Sequence, residues 1–183
     1  MRIRNAGLDG AWVFLPQQHH DERGVFLEAF TATALRSATG RDLSVAQINM
    51  SVSGRGVLRG IHAARTPPGQ AKYVQCLTGH ILDVIVDIRP GSVTFGQHAA
   101  IELDDIAREA VFISEGLGHG FCVLSESATV AYATSTPYDP DQEFAINPLD
   151  PALALPWPTH VELILSEKDR AAPCLAEALS LMR

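Results

Sequence analysis

The sequence predicts an all-β fold of the barrel or sandwich kind, and three observations carry that expectation. Glycine and proline recur along the whole chain, 14 and 11 of them in 183 residues, and between them lie short runs rich in Val, Ile, Phe and Tyr. One run alternates with the two-residue period of a strand: in ILDVIVDIR, Leu82, Val84, Val86 and Ile88 share a face. Only two stretches carry a helical pattern.

In chain order, strands are expected at WVFLP (12–16), GVFLEAF (24–30), SVAQINMSVS (44–53) and VLRGIH (57–62). From Lys72, KYVQCL runs through Thr78-Gly79-His80 into ILDVIVDIR, the pattern of a hairpin with a core-facing second strand. QHAAIEL (97–103), EAVFIS (109–114), GFCVLSE (120–126) and TVAYATSTPY (129–138) complete the set. TATALRSATG (31–40) lacks β-branched density after its threonines and stops at Gly40, whereas PCLAEALSLM (173–182) sets Leu175, Leu179 and Met182 at helical spacing. His19-His20 falls in a segment expected to be a mobile loop, and Asp150-Pro151 and Trp157-Pro158 break the later chain. With no internal repeat or linker, residues 1–183 form one expected domain.

Composition narrows the function classes. Hydrophobic residues make up 46% of the chain and charged residues 19%, which fits a globular domain and not a disordered one. The net charge is −7 and no Lys/Arg run is dense enough for a nucleic-acid or anionic-membrane surface. A few basic side chains converging in a cleft can still hold a small anion. MRIRNAGLDGAWVFLP has no apolar core of signal-peptide length, and no stretch approaches the roughly 20 apolar residues of a membrane span, so a cytoplasmic location is expected. Cys76, Cys122 and Cys174 are odd in number, far apart and outside any Cys-x-x-Cys pair, as expected of buried free thiols.

The segment richest in chemistry is GRGVLRGIHAARTPPGQAKYV (54–74), with Arg59, His62 and Lys72. A guanidinium can grip phosphate bidentately and an ammonium can stabilise an enolate oxygen, so this trio suits an anionic ligand. Its glycines, Gly54, Gly56 and Gly60, miss the dinucleotide fingerprint by one residue and lack a βαβ context. In SEGLGHGF (114–121), His119 stands at a strand entrance, and strand alternation would place Tyr132, Thr134, Thr136 and Tyr138 on one face. Gln47 and Asn49 alternate onto one strand face, Arg23 and Glu28 bracket Phe26, and LSEKD supplies Lys168 and Asp169. Singly, the His, Arg, Lys and Tyr residues suit a packing or surface role better than a chemical one, and an exposed polar stripe explains Gln47 and Asn49 equally well. A metal would usually take three protein ligands, but positions 63 and 64 are alanine and no third ligand accompanies His62 and His119.

Together the segments resemble the dTDP-4-dehydrorhamnose 3,5-epimerase family of cupin barrels. The matching blocks are DERGVFLEAF, QINMSVSGRGVLRGIH, PPGQAKYV, HILDVIVDIRPGSVTFG, SEGLGHGF, TSTPYDPDQE, NPLDPALALPWP and LSEKD, in family order. The resemblance implies a cupin double-stranded β-helix, or jelly-roll barrel, with short peripheral helices. It implies a homodimer with an exchanged N-terminal segment, acting on a dTDP-linked 4-keto-6-deoxyhexose without metal or redox cofactor. By this match His62 is the base, Asp169 the carboxylate that orients it, Tyr132 the acid on the opposite sugar face and Lys72 the group near the C4 oxygen. Arg23, Phe26, Glu28, Gln47, Asn49, Arg59, His119, Tyr138, Glu143 and Lys168 are the implied substrate contacts, with Arg59 as a phosphate clamp. Inversion at C3 and C5 is the implied reaction; related enzymes invert C3 only or C5 only, and a non-catalytic nucleotide-sugar-binding cupin or a metal-dependent cupin enzyme stand as alternatives. The family usually has an aromatic residue after the catalytic histidine, so Ala63 predicts a more open pocket wall.

Overall fold

The computed structural model describes residues 1–180. In order, the chain forms β1 (Arg2–Asn5), β2 (Ala11–Leu15), β3 (Gln18–Asp21), β4 (Gly24–Leu27), α1 (Ala32–Thr39), β5 (Gln47–Gly54), β6 (Val57–Ala64), β7 (Lys72–Thr78), β8 (His80–Asp87), β9 (His98–Asp104), β10 (Ala110–Ile113), β11 (Leu117–Val123), β12 (Ser127–Thr134), β13 (Glu143–Ala145), β14 (Ile164–Leu165), α2 (Glu167–Arg170) and α3 (Leu175–Ser180). One sheet runs β1-β2-β10-β7-β12-β5 and the other β13-β6-β11-β8-β9, with β14 added in parallel to β6. From β5 to β13 the chain changes sheet at every connection except β8 to β9, which gives the jelly-roll barrel its closed shape.

The expected hairpin at Gly79 is one of these sheet changes. β7 pairs with β10 and β12, whereas β8 pairs with β9 and β11. Only Gly79 separates the two strands, one residue fewer than the common two-residue hairpin loop needs. Its φ of +83° turns a corner, and a side chain there would meet the Ser127 carbonyl at 2.2 Å.

Both faces of β8 are covered, which also corrects the expected orientation of its apolar residues. Leu82, Val84, Val86 and Ile88 do share a face, but they pack outward with Ile61, Ile146, Leu153, Trp157 and Leu175. Ile81 and Ile85 are the residues that enter the core between the sheets, with Val13, Val74, Val111, Phe121 and Val130. Asp83 and Asp87 alternate with them and are fully buried.

On the outer side of the first sheet, α1 lays Leu35 against Phe14, Tyr73 and Phe112. The Thr31 hydroxyl accepts from the Ala34 N–H, and Gly40, at φ 69°, ends the helix by donating to the Arg36 carbonyl. Burying Phe14 or Phe112 stabilises the layer by about 1.5–3 kcal/mol each. α3 packs Leu175 and Leu179 on the outer cluster of the second sheet, whereas Met182 lies outside the described residues. His19 and His20, expected in a loop, pair with Phe26 and Val25 in a two-stranded ribbon of β3 and β4 that joins neither sheet. Cys76 and Cys122 are buried free thiols, but Cys174 is partly exposed because it precedes α3 at the surface. No helix among the described residues is long and apolar enough to cross a membrane.

Candidate active site

Strand register brings two histidines together. His62 on β6 lies directly opposite His119 on β11, so both rings enter the same side of the sheet. The register slips between His119 and Phe121, where Gly60, at φ +118°, would place any Cβ 2.6 Å from the Gly120 Cα. The close approach of the strands therefore requires glycine at 60.

The carboxylate for His62 comes from far along the chain. β14 pairs Ile164 with Val57 and Leu165 with Leu58, which delivers α2 beside His62. Ser166 caps that short helix by accepting from the Asp169 N–H at 3.0 Å. Asp169 is 3% exposed and accepts from His62 Nε2 at 2.7 Å, which leaves Nδ1 as the free ring nitrogen. Burial pushes its carboxyl up, but hydrogen bonds from His62, Ser166 and the Gly60 N–H, with the His62 charge, more than offset this and hold it below the usual carboxylate range.

Tyr132 stands across the cavity on the opposite sheet, between Asn49 of β5 and Val74 of β7. Burial and the Glu143 carboxylate raise its pKa against a smaller pull from Arg59, so the phenol keeps its proton at neutral pH. Lys72 is 7% exposed on β7; burial lowers its pKa to about 8, while Glu143 and Asp83 favour the charged form.

These groups line a cavity with two lobes, which share Asn49, His62, Lys72 and Tyr132. One lobe, of about 230 Å³, adds Gln47, Gln70, Tyr138, Glu143, Phe144 and Lys168. The other, of about 250 Å³, adds Met50, Ser51, Arg59, His119 and Phe121. Every expected site residue outside the N-terminal ribbon thus converges, with Asp169 behind His62.

The route is not always the expected one. β12 ends at Thr134, which is buried and turns its hydroxyl to the Thr136 carbonyl, so Tyr138 reaches the cavity from a loop instead of from the Tyr132 strand face. Ala63 leaves the pocket wall unchanged, because alternation points it away from His62 into the outer core with Leu58 and Ile61. Arg23, Phe26 and Glu28 do not line this cavity: Arg23 is paired with Asp21 at the ribbon's tip, and Phe26 is 69% exposed.

Three further residues belong to the site. Gln70 donates to Glu143 at 3.3 Å, Ser51 has a buried hydroxyl without a partner among the described residues, and Asp83 accepts from His119 Nε2 at 2.7 Å. Asp83 had a signal in the sequence, an acid inside an apolar strand. Among the described residues, no three His, Cys, Asp or Glu side chains gather as a metal site.

This jelly-roll barrel of the cupin kind sets an imidazole–carboxylate pair on one wall of its cavity and a protonated phenol and a buried ammonium on the other, groups that can accept and donate protons. The family model of dTDP-4-dehydrorhamnose 3,5-epimerase matches residues 5–177, and the chain belongs to this family of isomerases. It is 51% identical over 178 residues to a dTDP-4-dehydrorhamnose 3-epimerase of Streptomyces niveus, covering 97% of this chain and 86% of that one. It is 49% identical over 175 residues to a dTDP-4-dehydrorhamnose 3,5-epimerase of Streptomyces griseus, covering 96% and 87%. The crystal structure of a 4-keto-6-deoxy sugar epimerase from the novobiocin gene cluster of Streptomyces spheroides superposes with a TM-score of 0.96 at 50% identity, covering 99% of this chain and 90% of that one.

Proposed function

We propose that this chain epimerises a dTDP-linked 4-keto-6-deoxyhexose at C3 and C5, with His62 as base and Tyr132 as acid. The observation that carries the reading is the placement of these two groups on opposite sheets around one cavity. The C4 ketone acidifies the hydrogens at C3 and C5, so the free Nδ1 of His62 removes one and leaves an enolate. The Lys72 ammonium stabilises the enolate oxygen, and the Tyr132 phenol returns a proton to the other face, inverting the centre. Asp169 holds the imidazole in one tautomer and supports its charge once it is protonated. Arg59 and Lys168, one in each lobe, supply cations for the diphosphate.

The active unit in this reading is a homodimer. On the edge strand β5, Ile48, Met50 and Val52 are 65–71% exposed on one face, an apolar surface suited to a second copy. The β3–β4 ribbon, free of both sheets, would then carry Arg23, Phe26 and Glu28 to the partner's cavity. Free thiols at Cys76, Cys122 and Cys174 suit the reducing cytoplasm.

The test is incubation with dTDP-4-keto-6-deoxyglucose in D₂O, followed by NMR of the sugar. Deuterium with inversion at both C3 and C5 is the expected result, and no exchange with this or related keto sugars would overturn the reading. The similarity to the Streptomyces niveus 3-epimerase favours a second reading, inversion at C3 alone, which the same spectrum would report as label at one carbon.

A further inference from the structure

The cavity contains a second histidine–aspartate pair. His119 Nε2 donates to Asp83 Oδ2 at 2.7 Å, with His119 6% exposed and Asp83 wholly buried. That bond fixes the tautomer and leaves Nδ1 as the free nitrogen of a ring that lines the lobe shared with His62, Lys72 and Tyr132.

Asp83 differs from a structural carboxylate of the same strand. Four residues on and on the same face, Asp87 accepts from Arg89, Ser92 and Thr94, which satisfy both of its oxygens. Among the described residues, Asp83 Oδ1 is buried with no hydrogen-bond partner, and so is the Ser51 hydroxyl that lines the same lobe. Most buried polar atoms of a folded protein are paired, and two of the three that lack a partner among the described residues lie in or behind this lobe. Its charge favours the Lys72 ammonium, after the larger contribution of Glu143.

We propose that Asp83 is a positioning residue of the epimerase site, which locks His119 with Nδ1 toward the sugar. It acts through His119 and does not itself touch the reacting carbons. The inference rests on the epimerase reading of the cavity. The charged and titratable groups around Lys72 are His62, with Asp169 behind it, and Arg59 from β6, Asp83 from β8, His119 from β11, Tyr132 from β12, Tyr138 from the loop after it, Glu143 from β13 and Lys168 from α2. Removing the charge of Asp83 disfavours the ammonium, so Lys72 would lose its proton at lower pH.

The experiment compares wild type with Asp83→Asn. The near-isosteric variant should lower kcat about tenfold or more with KM within about twofold, and move the alkaline limb of the pH–rate profile to lower pH. In parallel, long-range ¹H–¹⁵N NMR of the wild type should show His119 as the single Nε2–H tautomer when neutral, and ¹³C NMR of the Lys72 ε-carbon should show its titration midpoint moved down in Asp83→Asn. A variant that melts at lower temperature but keeps the wild-type kcat and pH profile would make Asp83 a scaffold residue and overturn the proposal. Should Asp83→Asn not fold, a wild-type His119 that populates both tautomers would overturn it, and a single Nε2–H tautomer would support it. Wild type inactive on every keto sugar would contradict the epimerase reading instead, while the tautomer and the titration would still decide whether Asp83 orders the pair.

Discussion

The two histidine–aspartate pairs have the same hydrogen bond, Nε2 to carboxylate at 2.7 Å, yet sit in different surroundings. His62 has 38% of its side chain exposed, and its partner arrives from 107 residues away on a short capped helix. His119 has 6% exposed, and its partner lies on the neighbouring strand β8. The difference teaches that exposure, not the hydrogen bond, separates the two pairs, and in the proposed reaction it suits the first to trade protons with solvent and the second to orient. A base must release the proton it has taken, and only the His62 ring can do so directly into water.

Substitutions can break or sharpen that contrast. His62→Ala should have the largest effect, lowering exchange of the sugar protons toward the upper end of the about 10²–10⁴-fold range of a positioned base. Activity near wild type, measured by ¹H NMR, would remove His62 from the chemistry.

Lys72→Met should come next, with turnover reduced about 10²–10³-fold by loss of one oxyanion-stabilising donor. Stability should move the opposite way. Lys72 titrates at about 8 in the fold against about 10.4 in the unfolded chain, so at neutral pH the buried ammonium costs on the order of 3 kcal/mol. Because the folded-state pKa is the lower one, this cost fades as the pH rises from about 8 to 10. Lys72→Met should therefore melt at a higher temperature than wild type at pH 7, with the gap narrowing toward pH 10; an unchanged or lower Tm at pH 7 would contradict the buried-cation account.

Asp169→Asn should reduce kcat by about 10²-fold, since an amide no longer enforces one tautomer or supports the imidazolium. Ser166→Ala should be the mildest: it removes the cap of α2 and destabilises that turn by about 0.5–2 kcal/mol. Its effect on turnover should be severalfold at most, and a loss as deep as that of Asp169→Asn would show that the cap, not the carboxylate alone, holds the imidazole.

Much of the barrel was legible in the sequence because strand alternation is written in single residues. The runs around His62, Val84, Phe112 and Tyr132 are strands, and Thr31 and Gly40 bound a helix as their chemistry predicts. Pairing was less legible. Period two assigns residues to faces but not faces to the core, and β8, covered on both sides, made the outer face look like the inner one. The lone glycine between β7 and β8 was the sign that the chain turns a corner there. In the site, His62 and Tyr132 are strand residues whose roles came from the ordered match to a family. Asp83 was passed over although an acid in ILDVIVDIR is itself unusual, because an apolar run draws attention to its apolar members. Arg23 and Phe26 lie on a ribbon that joins neither sheet and Glu28 follows it, so none of the three lines the cavity of its own chain.

The central claim is that removal and return of the proton are divided between opposite walls. It is tested most directly by following deuterium at C3 and C5 in D₂O for Tyr132→Phe beside His62→Ala. Tyr132→Phe should still take up label, since His62 can exchange its proton with solvent and return deuterium to the same face, but with little inversion; His62→Ala should take up almost none. Equal loss of label in the two variants would contradict the division of roles.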